Sequence, residues 1–154
     1  MTKDEKIAIQ RQQMTGFMNY FENNELDFND TQLLQKMQNA ITRIFQLEIE
    51  ELGYSYKPNR DNSENTFELS FINDPKATFR GQHNSGARLD NGKFIQGKPS
   101  IKYNIAALYE GLQSPDKDKR MLACKTLFKT VFHEIQHHRQ YMMTRTNVSS
   151  KEGM

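Results

Sequence analysis

Apolar residues in the first third of the chain recur with the period of an α-helix. Between residues 3 and 23 they are spaced by three, four and seven positions, with glutamine and charged residues between them. A second segment with the same rhythm is predicted to be capped by Asp30 or Thr31 and to continue to about Leu52, where Gly53 ends it. The chain is therefore predicted to begin with two amphipathic helices.

The pattern changes to alternation in the middle of the chain. After a loop predicted at residues 57–65, apolar and polar residues alternate as in half-buried strands. The alternating apolar positions are Phe67, Leu69 and Phe71, then Ala77 and Phe79, and later Ile101, Tyr103 and Ile105. Asn91-Gly92 predicts a tight hairpin, because both residues tolerate positive φ angles. We expect an antiparallel sheet of three or four strands, with its apolar residues mostly buried on one side.

A long helix is predicted to end the patterned part of the chain. Ser114 suits the cap and Pro115 the first helical position, and no glycine or proline interrupts the segment before roughly Thr144. The polar tail from Thr144 to Met154 carries no pattern and is expected to be loose. The apolar side of this helix is expected to cover the sheet through Leu122, Leu127, Phe128, Val131, Phe132, Ile135 and Met142.

The order of helices, sheet and helix predicts an α+β fold. The 154 residues fit one domain, residues 1–154. Its predicted parts are a helical N-terminal part at 3–53, a sheet at 66–105 and a final helix at 114–144.

Composition and charge exclude several classes of partner. The net charge is +2 and the basic residues are dispersed, so nucleic acid is not expected, and a pI near 8.6 is the only feature in its favour. No apolar stretch approaches the roughly 20 residues that cross a bilayer, so we expect no membrane association. The lone Cys124 and the absence of an apolar signal region favour a reducing, cytoplasmic setting. Cys124 itself is expected to be a core residue.

The final helix contains the sequence His133-Glu-Ile-Gln-His137. Residues four apart lie on one face of a helix, about 6 Å from each other, so the two imidazoles can bind one ion. Nitrogen ligands of this kind suit Zn²⁺. Glu134 is displaced around the helix and can reach a water beside the ion, which is the position of a general base.

Residues 131–138, Val-Phe-His-Glu-Ile-Gln-His-His, and the preceding strand 100–105 resemble the zincin metallopeptidases. The resemblance implies zinc-dependent cleavage of a peptide or protein substrate, with strand 100–105 as the sheet edge along which the substrate lies. The metzincin subclass is excluded, because Gln140 and Met143 stand where its glycine and third histidine would be.

A catalytic zinc site usually has three protein ligands, and the motif supplies two. In related zincins a downstream helix supplies the third, which suggests that this chain is part of a longer protein. Glu152, His83 or His138 are the alternatives within the chain. On their own sequence contexts, His83 is interpreted as a loop histidine and His138 as a surface histidine.

Two alternatives compete with the zinc site and with catalysis. Thr126, Thr130, His133, His137 and Tyr141 form one polar stripe, which is typical either of a functional face or of a solvated one. Tyr141 is a candidate donor to an oxyanion, although packing is its commoner role. The missing third ligand also allows a catalytically inactive scaffold that acts as a binding or regulatory module. The oligomeric state is left open.

Overall fold

A computed structural model describes residues 1–56, 66–95 and 97–152. The predicted loop at 57–65 lies outside these residues. The elements in chain order are α1 (Lys3–Asn23), α2 (Thr31–Glu51), β1 (Ser55–Tyr56), β2 (Thr66–Ile72), β3 (Gly81–Asn84), β4 (Arg88–Asp90), β5 (Lys93–Ile95), β6 (Ser100–Asn104), α3 (Ile105–Leu108), a 3-10 helix (Glu110–Gln113) and α4 (Lys117–Glu152). The α+β class is confirmed.

Both N-terminal helices begin and end where the sequence predicts. Thr2 and Glu5 form a capping box at the start of α1, and the Asp30 side chain accepts a hydrogen bond from the Leu33 amide at 3.1 Å. Gly53 follows α2 with a φ of 87°, a conformation that side chains disfavour. Local capping chemistry therefore fixes both helices.

The main sheet is mixed and not antiparallel, and its strand order is β1-β2-β6-β3. β1 and β6 run parallel to β2, whereas β3 pairs antiparallel with β6. The prediction that residues 100–105 form an edge strand is thus wrong: β6 lies between β2 and β3, and the edge strands are β1 and β3. A strand at Ala77 and Phe79 was also predicted wrongly, since residues 77–79 form an irregular connection that leads into β3.

The apolar face of the sheet agrees with the alternation. Leu69 lies opposite Ile101 and Phe71 opposite Tyr103. Of the six predicted apolar residues in β2 and at positions 101–105, four are buried, and Leu69 and Phe71 are half-buried. The four are Phe67, Ile101, Tyr103 and Ile105. The hairpin is confirmed as well: β4 and β5 pair antiparallel, with positive φ at Asn91 and Gly92 (51° and 75°).

The final helix begins later and continues further than predicted. Ser114 and Pro115 do not start it, because the Ser114 hydroxyl accepts the Asp116 amide in a turn. Asp116 then caps the helix, its carboxylate accepting the Asp118 amide and its carbonyl the Arg120 amide. The backbone is helical to Glu152, so a loose tail after Thr144 is not observed.

Helix α4 packs on the core mostly through the predicted residues. Leu127, Phe128, Val131 and Ile135 are buried and Phe132 is half-buried. Leu122 is 66% exposed, so its assignment to the core is wrong. The Met142 side chain lies outside the described part of the chain. Among the residues that the structure describes, no helix is long and apolar enough to cross a membrane.

Arg120 joins the start of α4 to the end of α1. Its buried guanidinium donates to the carbonyls of Phe21 and Glu22, at 2.7 and 3.1 Å, and to those of Ser114 and Pro115, both at 2.9 Å. These carbonyls lie at helix ends or turns, where no helical partner satisfies them. One side chain therefore ties two distant segments together.

Replacing Arg120 should destabilise the fold strongly. Arg120→Ala leaves buried carbonyls without a donor, and we expect the free energy of unfolding in urea to fall by about 3 kcal/mol. Lys117→Ala is the control, because Lys117 forms only an exposed ion pair with Glu22 at 3.3 Å. An equal, small effect of both substitutions would contradict the role given to Arg120.

Candidate metal centre

The candidate site lies at the border between two stripes of α4. Leu127, Val131, Glu134 and His138, spaced by four, three and four, are all buried against the sheet. The neighbouring stripe contains the exposed His133 and His137. The motif thus contributes one carboxylate to the packed side of the helix and two imidazoles to the solvent side.

The two motif histidines converge as their spacing predicts. Their ring centroids are 4.2 Å apart. One ligand atom from each of His133, Glu134 and His137 lies within 4.8 Å of the others. Two ligands of one tetrahedral zinc ion are separated by about 3.4 Å, given zinc–nitrogen distances of about 2.1 Å. Small rotations of exposed imidazoles are enough to close this difference.

Glu134 is held against the edge strand β3. It is only 7% exposed, and a Cβ placed on Gly81 would lie 2.7 Å from its Cγ and 3.2 Å from its Cδ. A side chain at position 81 would therefore displace Glu134 from its place, and glycine permits this close approach. Gly81 thereby determines where the carboxylate lies.

Tyr103 packs beside the same carboxylate. Its hydroxyl donates to the Val131 carbonyl at 2.8 Å, which joins β6 to α4 one turn before Glu134. Burial raises the pKa of Tyr103 well above its usual value, and the nearby charge of Glu134 raises it further. The phenol is therefore a neutral hydrogen-bond donor at physiological pH.

His138 is not the surface histidine that its position next to His137 suggested. It is fully buried, and each ring nitrogen has a partner: Nδ1 lies 2.8 Å from His83 Nε2, and Nε2 lies 3.0 Å from the Tyr54 hydroxyl. Both contacts are satisfied with neutral rings, since one nitrogen donates and the other accepts. Burial, followed by the charge of His83, lowers the pKa of His138 to about 4.

His83 is on strand β3 and not in a loop. The antiparallel register places it opposite Ile101, half-buried, with its side chain turned to α4. Burial lowers its pKa, and His137 lowers it further. Gly81 and His83 alternate with the exposed Gln82 and Asn84, so two successive inward positions of β3 contact Glu134 and His138.

These contacts constrain the third ligand. His138 uses both ring nitrogens in hydrogen bonds and is not free to ligate as arranged, whereas His83 uses only Nε2. Within residues 1–56, 66–95 and 97–152, the cluster around His133 and His137 contains no other histidine, cysteine or acid than Glu134. The Glu152 side chain lies outside the described residues.

The structure also describes Cys124 and Tyr141, for which the sequence predicted a core position and a candidate oxyanion donor. Cys124 is buried and free, and burial raises the pKa of its thiol to about 12, as expected for a core residue and not a nucleophile. Tyr141 is half-buried, with its ring centroid 5.8 Å from His138 and 6.4 Å from His83. Its ring therefore packs against the hydrogen-bonded histidines, and its proposed oxyanion role stays a prediction.

Gly81 and Tyr54 were not predicted as part of the site, and His83 was named only as an alternative third ligand. The burial of His138 could have been predicted from the sequence. It follows Val131 by seven positions and Ile135 by three, which places it on the buried face. The alternation of Gly81 and His83 with polar residues was also visible. Sequence alone does not indicate that Tyr54, 84 positions away, completes the hydrogen-bonded chain.

Comparison of the chain with protein-family models, with curated proteins and with solved structures finds no match. The zincin resemblance of residues 131–138 and strand 100–105 stays a prediction from the sequence.

The buried state of His138 should make stability depend on pH. Its folded pKa of about 4 is below the usual value of about 6.5, so the unfolded chain binds more protons and stability falls as pH decreases through this window. Between pH 7 and 5 we expect this residue to remove about 2 kcal/mol from the free energy of unfolding of the metal-free protein.

Urea unfolding of His138→Gln at pH 7 and pH 5 measures this contribution. The variant should be less stable than the wild type at pH 7 and lose about 2 kcal/mol less on acidification. Gln136→Ala, which changes an exposed residue without a titrating group on the same helix, should keep the wild-type pH dependence. The same loss in the wild type and in His138→Gln would show that His138 does not resist protonation.

Proposed function

We propose that this chain is a zinc-dependent peptidase domain, in which His133 and His137 bind the metal and Glu134 is the general base. The observation that supports this proposal is the convergence of two exposed imidazoles with a buried carboxylate beside the free edge of a sheet. A solvated helix face does not explain why Glu134 is buried against Gly81.

The donor set fits zinc. Two neutral imidazole nitrogens are preferred zinc ligands, and both lie on the accessible side of α4. Two protein ligands make an incomplete site, so a third is part of the proposal. Glu152, His83 through Nδ1, and residues of a longer chain are the candidates, since both ring nitrogens of His138 are engaged in hydrogen bonds.

When bound, zinc supplies Lewis acidity, which favours deprotonation of water at neutral pH and polarises a peptide carbonyl. Glu134 accepts the water proton at its carboxylate and can return it to the departing amine. Gly81 and Tyr103 limit the movement of this carboxylate, since both lie against it. The base is thus positioned before the substrate binds.

The substrate strand is reassigned from β6 to β3. β6 is hydrogen-bonded on both sides, whereas β3 pairs only with β6 among the strands described. An extended peptide can add to the free edge of β3 through backbone hydrogen bonds. Because Gly81 lies against Glu134, a peptide on this edge would pass the proposed base. The buried, unpaired Cys124 supports a cytoplasmic location.

Zinc binding tests the ligands directly. The wild-type protein should bind one zinc ion per chain, and His133→Ala or His137→Ala should abolish stoichiometric binding without loss of helix content, because each removes an essential nitrogen ligand. Equilibrium dialysis with metal analysis and far-ultraviolet circular dichroism give the two readouts. Gln136→Ala, an exposed position between the histidines, is the matched control. Unchanged zinc binding in either histidine variant would contradict the proposed site.

The Glu134→Gln variant distinguishes a role of Glu134 as general base from a role as metal ligand. Glutamine keeps the size and hydrogen bonding of glutamate but does not accept a proton at neutral pH. The variant should therefore retain zinc and cleave a peptide library at least about 100-fold more slowly than the wild type. Loss of zinc would make Glu134 a ligand, and full activity would exclude it as the base. A wild-type protein that binds zinc but cleaves nothing would favour the inactive scaffold.

A further inference from the structure

A hollow lies on the same side of α4 as the motif, toward the start of the helix. It has a volume of about 340 Å³ and lies between α4, the 3-10 helix and the residue that precedes β3. We name it the Arg80 pocket. The residues that matter for its chemistry are Arg80, Leu108, Glu110, Lys119, Leu122 and Thr126.

The Arg80 pocket and the proposed site are linked through neighbouring residues of β3 and α4. Arg80 directly precedes Gly81, which contacts Glu134, and the Arg80 carbonyl is fixed by the Asn104 amide at 2.9 Å. On α4, Thr126 lies eight residues before Glu134, or about 12 Å along the helix. An extended peptide covers that distance with about three to four residues.

Among the residues that the structure describes, the cations of the pocket have no ion-pair partner. In the described ranges, no carboxylate lies within 4.0 Å of the Arg80 or Lys119 charge, although Glu110 lines the same hollow. Elsewhere Lys6, Lys117 and Arg139 are paired with glutamates. The hollow thus has two unpaired positive charges against one negative charge.

The interior of the pocket is apolar. Leu108 is buried, and the 3-10 helix lies so close to α4 that a Cβ on Gly111 would be 2.6 Å from the Ala123 Cβ. Leu122, exposed at 66%, forms an apolar rim. Methylene groups can pack here while a terminal carboxylate reaches the cations.

We propose that the Arg80 pocket selects an acidic side chain of the peptide substrate, about three to four residues from the bond that is cleaved. This inference rests on the proposed function, because the peptide must lie along β3. Arg80 and Lys119 bind the carboxylate, and Leu108 and Leu122 contact its aliphatic part. A peptide with lysine at that position is repelled by like charge.

Binding to the zinc-loaded Glu134→Gln protein tests the proposal without turnover. Fluorescein-labelled peptide libraries carry Glu, Gln or Lys at one fixed position at a time, and fluorescence anisotropy gives the affinity. At one position the Glu library should bind about 10-fold more tightly than the Lys library, which corresponds to about 1.4 kcal/mol. The preference should weaken as salt is added.

Charge reversal provides the matched comparison. Adding Arg80→Glu and Lys119→Glu should invert the preference to lysine at the same position and leave zinc content unchanged. Lys36→Glu, on α2 in a different groove, changes one charge elsewhere and should leave the preference unaltered. Both pocket cations are exposed, so folding should persist and is checked by circular dichroism.

The outcomes separate the two hypotheses. Zinc-loaded protein that binds peptides without an acid preference, or with a preference that the double reversal leaves unchanged, would overturn the role of the Arg80 pocket while the peptidase proposal stands. Failure of the wild type to bind zinc would overturn the peptidase proposal and this inference together.

Discussion

The contact between α4 and the edge strand β3 determines both the position of the strand and the geometry of the candidate site. Polar side chains replace apolar packing there. The absence of a side chain at Gly81 leaves room for Glu134, and His83 forms a hydrogen bond with His138. A shift of β3 by one residue would place Gln82 against the carboxylate and leave His138 without its partner. Burying these groups costs stability relative to an apolar stripe, but it fixes the register of the strand.

The N-terminal helices contribute to this contact and are not an appendage. Gly53 turns the chain after α2, so that Tyr54 reaches His138 from the opposite side to His83. The Tyr54, Phe67 and His138 rings pack mutually at 4.7 to 5.3 Å. Glu48 and Glu51 of α2 also pair with Arg139, the next residue of α4. The helix that carries the motif is therefore held by groups from both halves of the chain.

The sequence predicts elements whose determinants are local. Asp30 as a cap, Gly53 as a stop and Asn91-Gly92 as a turn each act within a few residues, and all three are observed. Strand order depends on which strands meet across the sheet, so the central position of β6 and the edge position of β3 were not predictable from alternation. The predicted cap of α4 was wrong because two residues suited to capping lie close together: Ser114 forms a turn, and Asp116 caps the helix.

The candidate site was predictable only as far as a single helix contains it. The spacing of His133 and His137 determines their convergence, whereas the burial of His138 depends on residues 55 and 84 positions away. Polar residues on a core stripe resemble solvated ones until their partners are known. Periodicity measured from Val131 and Ile135, and not from the neighbouring His137, is the better guide to such residues.

Because the motif lies at the border of two stripes, its proposed base and its proposed metal ligands lie in different environments. Changes on the buried stripe, at Glu134 or His138, alter packing against β3 as well as any chemistry, so their effects on stability and activity are coupled. Changes on the exposed stripe, at His133 or His137, remove the proposed ligands and leave the core intact. A carboxylate at this border has few accessible orientations, because Glu134 is 7% exposed and Gly81 lies against it. It still lies beside imidazoles that water can reach, and a general base for water needs both the fixed orientation and the access.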